Sequence, residues 1–578
     1  MGVRTKVRQH KVSCLQPSNT KNLLKKPQLS AMSPLQIGSR RWADVSLAVS
    51  AATLLFLANS AAQIWTYWSP PSGCAALLIP KNADNFQYLT WIEAHRSSVL
   101  IENFHTTEYT AKAYLSPLAL AVGRLANWSG ANIETVYQLI RLILYWVSGF
   151  VIVYSLKTFL PDRARQFAAL VACFCCVPVR SLLIPILAAR GSSFKFGIPG
   201  SGEYIYVSNT IFQDVNHSIF GLVGMIATVA GTAGLHRFAE HRSTGGFAVY
   251  LLACALSALC HPFEVFLLLP YGLIVLGYRE GLGGAVKTLT PVFLVAVLCM
   301  SPFAVAAASE DWVKTVALLN RGGFLLPPRA LVASLGVPCI VALVGGCYMA
   351  IRRAGLMHRS VVDVSVWLAL SLVLPYCSWL PFPHHLLNGV SVAIGILCAV
   401  CVFQIFAIIP QGRLRKIWVV MVLVVVAGSV AAHVGLRFYG FLEAIAPARR
   451  PNPKTGFPAA FLTYEEATIM SWFRFRSAPS DSVVAPGPLA WLLAATPVHS
   501  LGSHDLFGYK KLQSDVWQQK EMILAGTSSR QEAAAFLARH HIRFVVTRAF
   551  ADLPSNCQVQ FRIGQKAIYD CSAPSSGP

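Results

Sequence analysis

The sequence predicts an α-helical polytopic membrane protein, with about eleven transmembrane helices and a small C-terminal extracytoplasmic α/β domain. Three observations carry this. Hydrophobic residues make up 55% of the chain and charged residues only 13%. Apolar runs of roughly 20 residues, the length that crosses a bilayer core, recur along it. Lys and Arg gather in the leader and in short turns between the runs, as the positive-inside rule expects. The net charge of +23 therefore points to lipid headgroups as partners, and no nucleic-acid partner is expected.

Residues 1–43 form a basic tail, expected to be disordered and cytoplasmic, with Arg4, Lys6, Arg8, Lys11, Lys21, Lys25, Lys26, Arg40 and Arg41 and no acidic residue. An organelle-targeting peptide is the rival reading of this acid-free stretch. The membrane domain is expected over 44–440. Its first span, 44–65, lacks a preceding cleavage pattern and reads as a retained anchor. A long external loop, 66–133, follows, with a surface helix near 115–126. Further spans are expected at 135–157, 166–186, 218–236, 246–260, 263–278, 288–308, 330–351, 361–379, 386–409 and 417–437. The stretch 246–278 reads as two short spans or as one kinked span. Inward turns then contain Lys157, Arg163 and Arg165; Arg237 and Arg242; Arg279 and Lys287; Arg352, Arg353 and Arg359; and Arg413, Arg415 and Lys416. An odd number of crossings from an inside start leaves residues 441–578 on the outer face.

That C-terminal segment is polar and opens with a linker containing Pro447, Pro451 and Pro453. An amphipathic helix is expected at 464–475, a strand at 482–485, and a helix at 531–540 leading into a strand at 542–547. Such alternation suggests β-α-β packing. Most of the 15 cysteines fall in apolar spans, including Cys173, Cys175 and Cys176, where cysteine is a small buried hydrophobe and not a metal ligand. Cys557 and Cys571 flank the strand-like segment 558–569 in the outer domain, so a disulfide fits an oxidising compartment.

The most informative residue is Asp84, in the stretch Asn82-Ala83-Asp84-Asn85-Phe86-Gln87-Tyr88-Leu89-Thr90-Trp91 of the first outward loop. A carboxylate in apolar surroundings at a membrane face is a candidate base. Glu93, Glu102 and Glu108 are the other acids of the loop. His261-Pro262-Phe263-Glu264 breaks an apolar stretch near an outer turn; ionisable residues at that depth are functional candidates, against the bland reading of a helix break with satisfied polar groups. His384 and His385 follow Pro381-Phe382-Pro383 at another outer turn and are ligand-binding candidates; adjacent histidines do not share a helix face, which argues against a two-ligand metal site. Arg190, Lys195, Arg321, Arg329 and Arg437 fall at expected outer ends, where they could meet a negatively charged group, although snorkelling is the favoured account of each one alone. In the outer domain, Ser500-Leu501-Gly502-Ser503-His504-Asp505 reads as a glycine-containing turn after a strand-like segment, for which an exposed turn is the simpler account. Neither Walker spacing nor a dinucleotide fingerprint is present. Asn127-Trp128-Ser129 fits an N-glycosylation sequon.

A basic inner tail, one span, an external loop with Asp followed by Tyr and Trp, a Thr106-Thr107-Glu108 segment, then many spans and an outer domain resembles the GT-C membrane glycosyltransferases. The resemblance covers nearly the whole chain as architecture and residues 80–120 as motif. It implies catalysis by an acidic residue of the first external loop and a polyprenyl-phosphate sugar as donor. Carried over, Asp84 is the general base, Glu102 or Glu108 a second catalytic acid, and Tyr88, His261, Glu264, Arg321, His384, His385 and His504 substrate contacts. The family's adjacent acidic pair is missing. No cofactor is implied, and a divalent metal is compatible with the site. The implied reaction is inverting sugar transfer to a glycan, lipid or protein at the outer face of a bacterial inner membrane, with the C-terminal domain in the periplasm. The rivals are a lipid-linked sugar flippase, which would hold its polar residues near the bilayer midplane, an O-antigen polymerase or ligase, whose large loop lies later in the chain, and a non-catalytic protein of the same fold.

Overall fold

The structure is a computed structural model that describes residues 45–53, 56, 74–76, 83–107, 110–176, 218–310, 312–314, 327–352, 358–380, 382–410, 412–429, 461–496, 498–501, 514–548 and 552–572. Most of the expected first span, the linker, Glu108, Arg190, Lys195, Arg321, Arg437, His504 and Asp505 lie outside these residues.

Two helices, α1 (Ala83–His95) and α2 (Pro117–Ser129), precede the bundle. The bundle contains α3 (Ile133–Phe159), α4 (Arg163–Phe174), α5 (Ile219–His241), α6 (Thr244–Cys260), α7 (Val265–Glu280), α8 (Leu282–Ser309), α9 (Pro328–Arg352), α10 (His358–Val373) and α11 (Val390–Ile408). Residues 413–429 are also helical. Among the described residues, seven helices are long and apolar enough to cross a bilayer: α3, α5, α7, α8, α9, α10 and α11. The α6 helix is apolar but shorter. The chain is thus mostly helical and built for a membrane; seven of the about eleven expected spans meet a helix of crossing length among the described residues, while 44–65, 166–186 and 417–437 run beyond those residues.

Four of the described bundle helices start on side-chain caps. Asp162, Asn132, Ser218 and Ser243 each accept a backbone N–H of the first turn, at 2.8, 2.9, 3.0 and 3.2 Å, satisfying donors the helix itself leaves open. Between α6 and α7 the residue before Pro262 is pushed out of the helical region; His261 has φ −155° and ψ 79°, and a 3₁₀ turn, Pro262–Glu264, starts the next helix. The stretch 246–278 is therefore two helices. The α5 helix is buried over nearly its whole length, whereas α8 exposes Leu294, Leu298 and Val305. Polar all-round burial is costly and apolar exposure is neutral in lipid, so α5 is the axis of the bundle and α8 part of its rim.

The C-terminal domain contains β2 (Phe461–Thr463), β3 (Ser482–Val484), β4 (His499–Ser500), β5 (Phe544–Arg548), β6 (Gln558–Ile563) and β7 (Lys566–Asp570), with α12 (Tyr464–Arg476), α13 (Gly487–Ala494), α14 (Ser514–Ala525) and α15 (Arg530–Arg539). Its five-stranded sheet has the order β4-β3-β5-β7-β6. The β3 strand is parallel to β4 and β5, as the β-α-β reading expects, while β7 is antiparallel to β5 and β6. Residues 558–569 form a hairpin rather than one strand, because Gly564 (φ +53°) turns the chain where other residues would be strained. Cys557 and Cys571 are joined in a disulfide.

Two joints bind the loop before the bundle to this domain. The short strand β1 (Cys74–Ala76) pairs antiparallel with β2. One apolar core runs from Phe86, Leu89 and Ile92 of α1 through Val136, Tyr137 and Phe220 to Ile469, Phe473, Leu489 and Val546 of the domain.

Candidate functional site

Asp84 stands in the first turn of α1, so the expected loop carboxylate is helical; its side chain lies outside the described part. The helix forms because Phe86, Leu89 and Ile92, spaced three apart, are all buried and give one apolar stripe to the core. One turn beyond Asp84, the ring of Tyr88 packs on Phe220 at 4.8 Å and on Trp91 at 5.8 Å. Trp91 continues to Tyr114 at 5.0 Å and Tyr114 to Trp312 at 5.5 Å. Tyr88 and Trp91 pack against the core shared with the C-terminal domain, and Trp91, Tyr114 and Trp312 join a second cluster that includes Phe382.

Phe220 lies one turn before Gly224 on α5, and at Gly224 the polar centre of the site begins. Glu264 is fully buried. It accepts from His261 Nδ1 at 2.7 Å and from Asn388 Nδ2 at 2.6 Å, and Ser257 Oγ lies 3.3 Å from it with its single hydrogen shared with the nearer His261 O at 3.0 Å. A carboxylate can only accept when ionised, so this donor set fits the charged form and puts the His261 proton on Nδ1. The approach needs a glycine opposite it: a Cβ at Gly224 would stand 2.3 Å from Glu264 Oε1 and 2.8 Å from His261 Nδ1. The His385 ring meets His261 edge-on at 4.5 Å, stacks on Phe263 at 4.8 Å and adjoins His384 at 4.1 Å. His384 and His385 belong to the 3₁₀ turn Pro383–Leu387, which follows Phe382 in the left-handed region. Two separate sequence breaks, 261–264 and 382–388, thus meet in one nest. His385 Nδ1 and Asn388 Oδ1 are buried there with no hydrogen-bond partner among the described residues. Each such atom costs about 1–3 kcal/mol.

The other described loop residues point elsewhere. Glu102 has Lys112 Nζ at 3.8 Å and His499 Nε2 at 3.9 Å, so it faces the C-terminal domain and not the nest. His499 donates from Nδ1 to Thr106 O at 3.0 Å and stacks on Phe104 at 4.9 Å; Ser500 N donates to Phe104 O at 2.9 Å. Glu93, Arg96, Glu102, Phe104, Lys112 and Thr496 help line a cavity of about 260 Å³ beside this contact. His95 is fully buried, donates from Nδ1 to Ser98 O and accepts from Ser116 N at Nε2. Burial pushes its imidazole below the ordinary value of 6.5. Arg329 is exposed at the start of α9.

A second polar cluster sits at the opposite end of α5. Asp363 accepts from His236 Nδ1 and from Arg279 Nη2, both at 2.5 Å; Arg279 Nη1 donates to Glu240 at 2.8 Å, and Arg359 approaches Glu240 at 3.3 Å. Among the described residues, no three His, Cys, Asp or Glu side chains converge as a metal site. Asn388, Ser257 and Gly224 were not foreseen. Ser257 carries a local signal, one helical turn before His261; Gly224 carries none.

No protein-family profile and no curated protein matches the sequence. Solved structures do match. The oligosaccharyltransferase of Archaeoglobus fulgidus, tethered with an acceptor peptide containing the NVT sequon, superposes with a TM-score of 0.55 at 11% identity over 88% of this chain and 69% of that one. The same enzyme in complex with an inhibitory peptide and a dolichol-phosphate gives 0.53. The arabinofuranosyltransferase AftD from Mycobacteria gives 0.51 at 17% identity over 92% of this chain and 42% of that one. ArnT from Cupriavidus metallidurans in the apo state gives 0.50 at 13% identity over 94% and 100%. Identities this low speak for the fold and leave chemistry to the site. The chain carries the fold shared by the GT-C glycosyltransferases.

Proposed function

We propose that this protein is a membrane glycosyltransferase that moves a sugar from a polyprenyl-phosphate donor to a glycan, lipid or protein acceptor outside a bacterial inner membrane, with inversion. The observation that carries the reading is the placement of α1: within a GT-C fold, the helix bearing Asp84 packs through Tyr88 and Phe220 onto the end of α5 that holds the polar nest. Asp84 serves as general base. It takes the proton of the acceptor hydroxyl, the oxygen attacks the anomeric carbon, and the bond to phosphate breaks with its electron pair leaving on phosphate. Tyr88, His261, His384 and His385 form the substrate wall with Glu264 behind His261; Glu108, Arg321 and His504 are assigned as further contacts, and Glu102, beside Lys112 and His499, is a second acid on the domain side.

The pairing of β1 with β2 and the bond from Ser500 to Phe104 support one side of the membrane for loop 66–133 and domain 441–578. That arrangement agrees with eleven spans and a cytoplasmic leader at 1–43. The test is transfer by purified, reconstituted protein supplied with labelled polyprenyl-phosphate sugars. Asp84→Asn should lower the rate by about 10²–10⁴-fold. Unchanged transfer by that variant removes Asp84 as base, and lipid movement without bond formation replaces the transferase with a transporter.

A further inference from the structure

The nest at the loop-side end of α5 is chemically one-sided. Its carboxylate, Glu264, is occupied by the donors His261 Nδ1 and Asn388 Nδ2, with the Ser257 hydroxyl beside them. The polar atoms left without a partner among the described residues are His261 Nε2, His385 Nδ1 and Asn388 Oδ1. Asn388 Oδ1 is an acceptor, whereas His261 Nε2 and His385 Nδ1 each donate or accept according to the proton they carry. No Lys or Arg among the described residues bonds to any of the three side chains. A phosphate placed here would bring acceptor oxygens to the Asn388 Oδ1 acceptor and a second negative charge beside the Glu264 carboxyl, with no Lys or Arg among the described residues to offset it. A sugar hydroxyl carries both a hydrogen and lone pairs and matches the set. Phe263 and Phe382, stacked and tilted against His385 at 4.8 and 5.9 Å, add apolar surface suited to the C–H face of a sugar ring.

We propose that His261, Asn388 and His385 form a hydroxyl-recognition subsite for a neutral sugar ring, with Glu264 as the positioning residue that orients the His261 ring through Nδ1. This rests on the transferase reading and assigns the nest to the sugar, leaving the phosphate to be held elsewhere. Two sources share that chemistry, the sugar of the donor and the terminal sugar of a glycan acceptor.

The experiment is carbethoxylation of His261 by diethylpyrocarbonate in the full-length reconstituted protein, read by mass spectrometry. The probes are a panel of polyprenyl-phosphate hexoses and pentoses, polyprenyl phosphate without sugar, and free oligosaccharides. A sugar-bearing lipid at ten times its Kd should slow modification about tenfold, while polyprenyl phosphate alone leaves it unchanged. Protection by free oligosaccharides but not by the lipid-linked sugars supports the same chemistry with the acceptor as source. Equal protection by sugar-free polyprenyl phosphate overturns the proposal, as does protection by none of the probes or a His261 that resists modification without ligand. The transfer assay on the same preparation separates the two ideas: protection without transfer removes the transferase and keeps the subsite, and transfer without protection does the reverse. Where Asn388→Ala folds, it should raise KM for the donor or acceptor more than it lowers kcat.

Discussion

The two ends of α5 hold clusters built from the same kinds of residue and resolved in opposite ways. At the far end, Asp363 is 1% exposed and bridges His236 and Arg279, and Arg279 passes on to Glu240 and Arg359; apart from Arg279 Nε, the charges there answer one another. At the loop end, one buried carboxylate satisfies its donors and leaves two ring nitrogens and an amide oxygen open. The clusters begin twelve residues apart on one helix, Gly224 and His236, or roughly 18 Å. A paired network fixes the packing of α5, α7 and α10. An unpaired one is tolerated only where something else completes it, and this is the end onto which α1 is folded.

Breaking the far cluster should have the largest effect on stability. Asp363→Ala leaves His236 and Arg279 facing an empty buried partner site and should cost about 3–5 kcal/mol, seen as a lower thermal midpoint, while transfer per folded molecule stays unchanged. A loss of transfer without a loss of stability would erase the distinction between the two ends. Gly224→Ala tests the other end. The added methyl group displaces Glu264 and His261 and should cost only about 1–3 kcal/mol, yet slow transfer by about 10²-fold. Full activity in that variant would show that the nest does not touch the substrate. The smallest effect sharpens the contrast at His95, a third buried histidine whose two ring nitrogens are both bonded. Its folded pKa lies below 6.5 because of burial, so the unfolded chain takes up the proton first. Its contribution to stability is complete above that value and is lost as pH falls from it toward the folded pKa. His95→Gln should flatten the acid limb of unfolding measured between pH 7 and 5, and a limb unchanged by the substitution would show that His95 is not its source.

Much of the bundle could be read from the chain because its signals are local: length and apolar composition set a span, and Pro262 and Pro383 mark where helices stop. His261 and Glu264 stood out for the same reason, as ionisable residues in an apolar stretch. Asn388 did not, since it meets Glu264 across 124 residues. The polar residues Asn82, Asp84 and Asn85 read as loop, and the helix prevailed because Phe86, Leu89 and Ile92 gain burial against α3 and the C-terminal domain. The joint between β1 and β2 was likewise invisible, three-residue strands having too short a pattern to register.

The sequence by itself determined that this chain crosses a membrane many times, where its helices break and which acids and histidines stand out, because each follows from the cost of polar groups in hydrocarbon. Only the tertiary structure decided which of those groups are satisfied and which remain open. Hydrogen bonding between distant segments depends on their meeting at ångström range, and no local pattern encodes that distance.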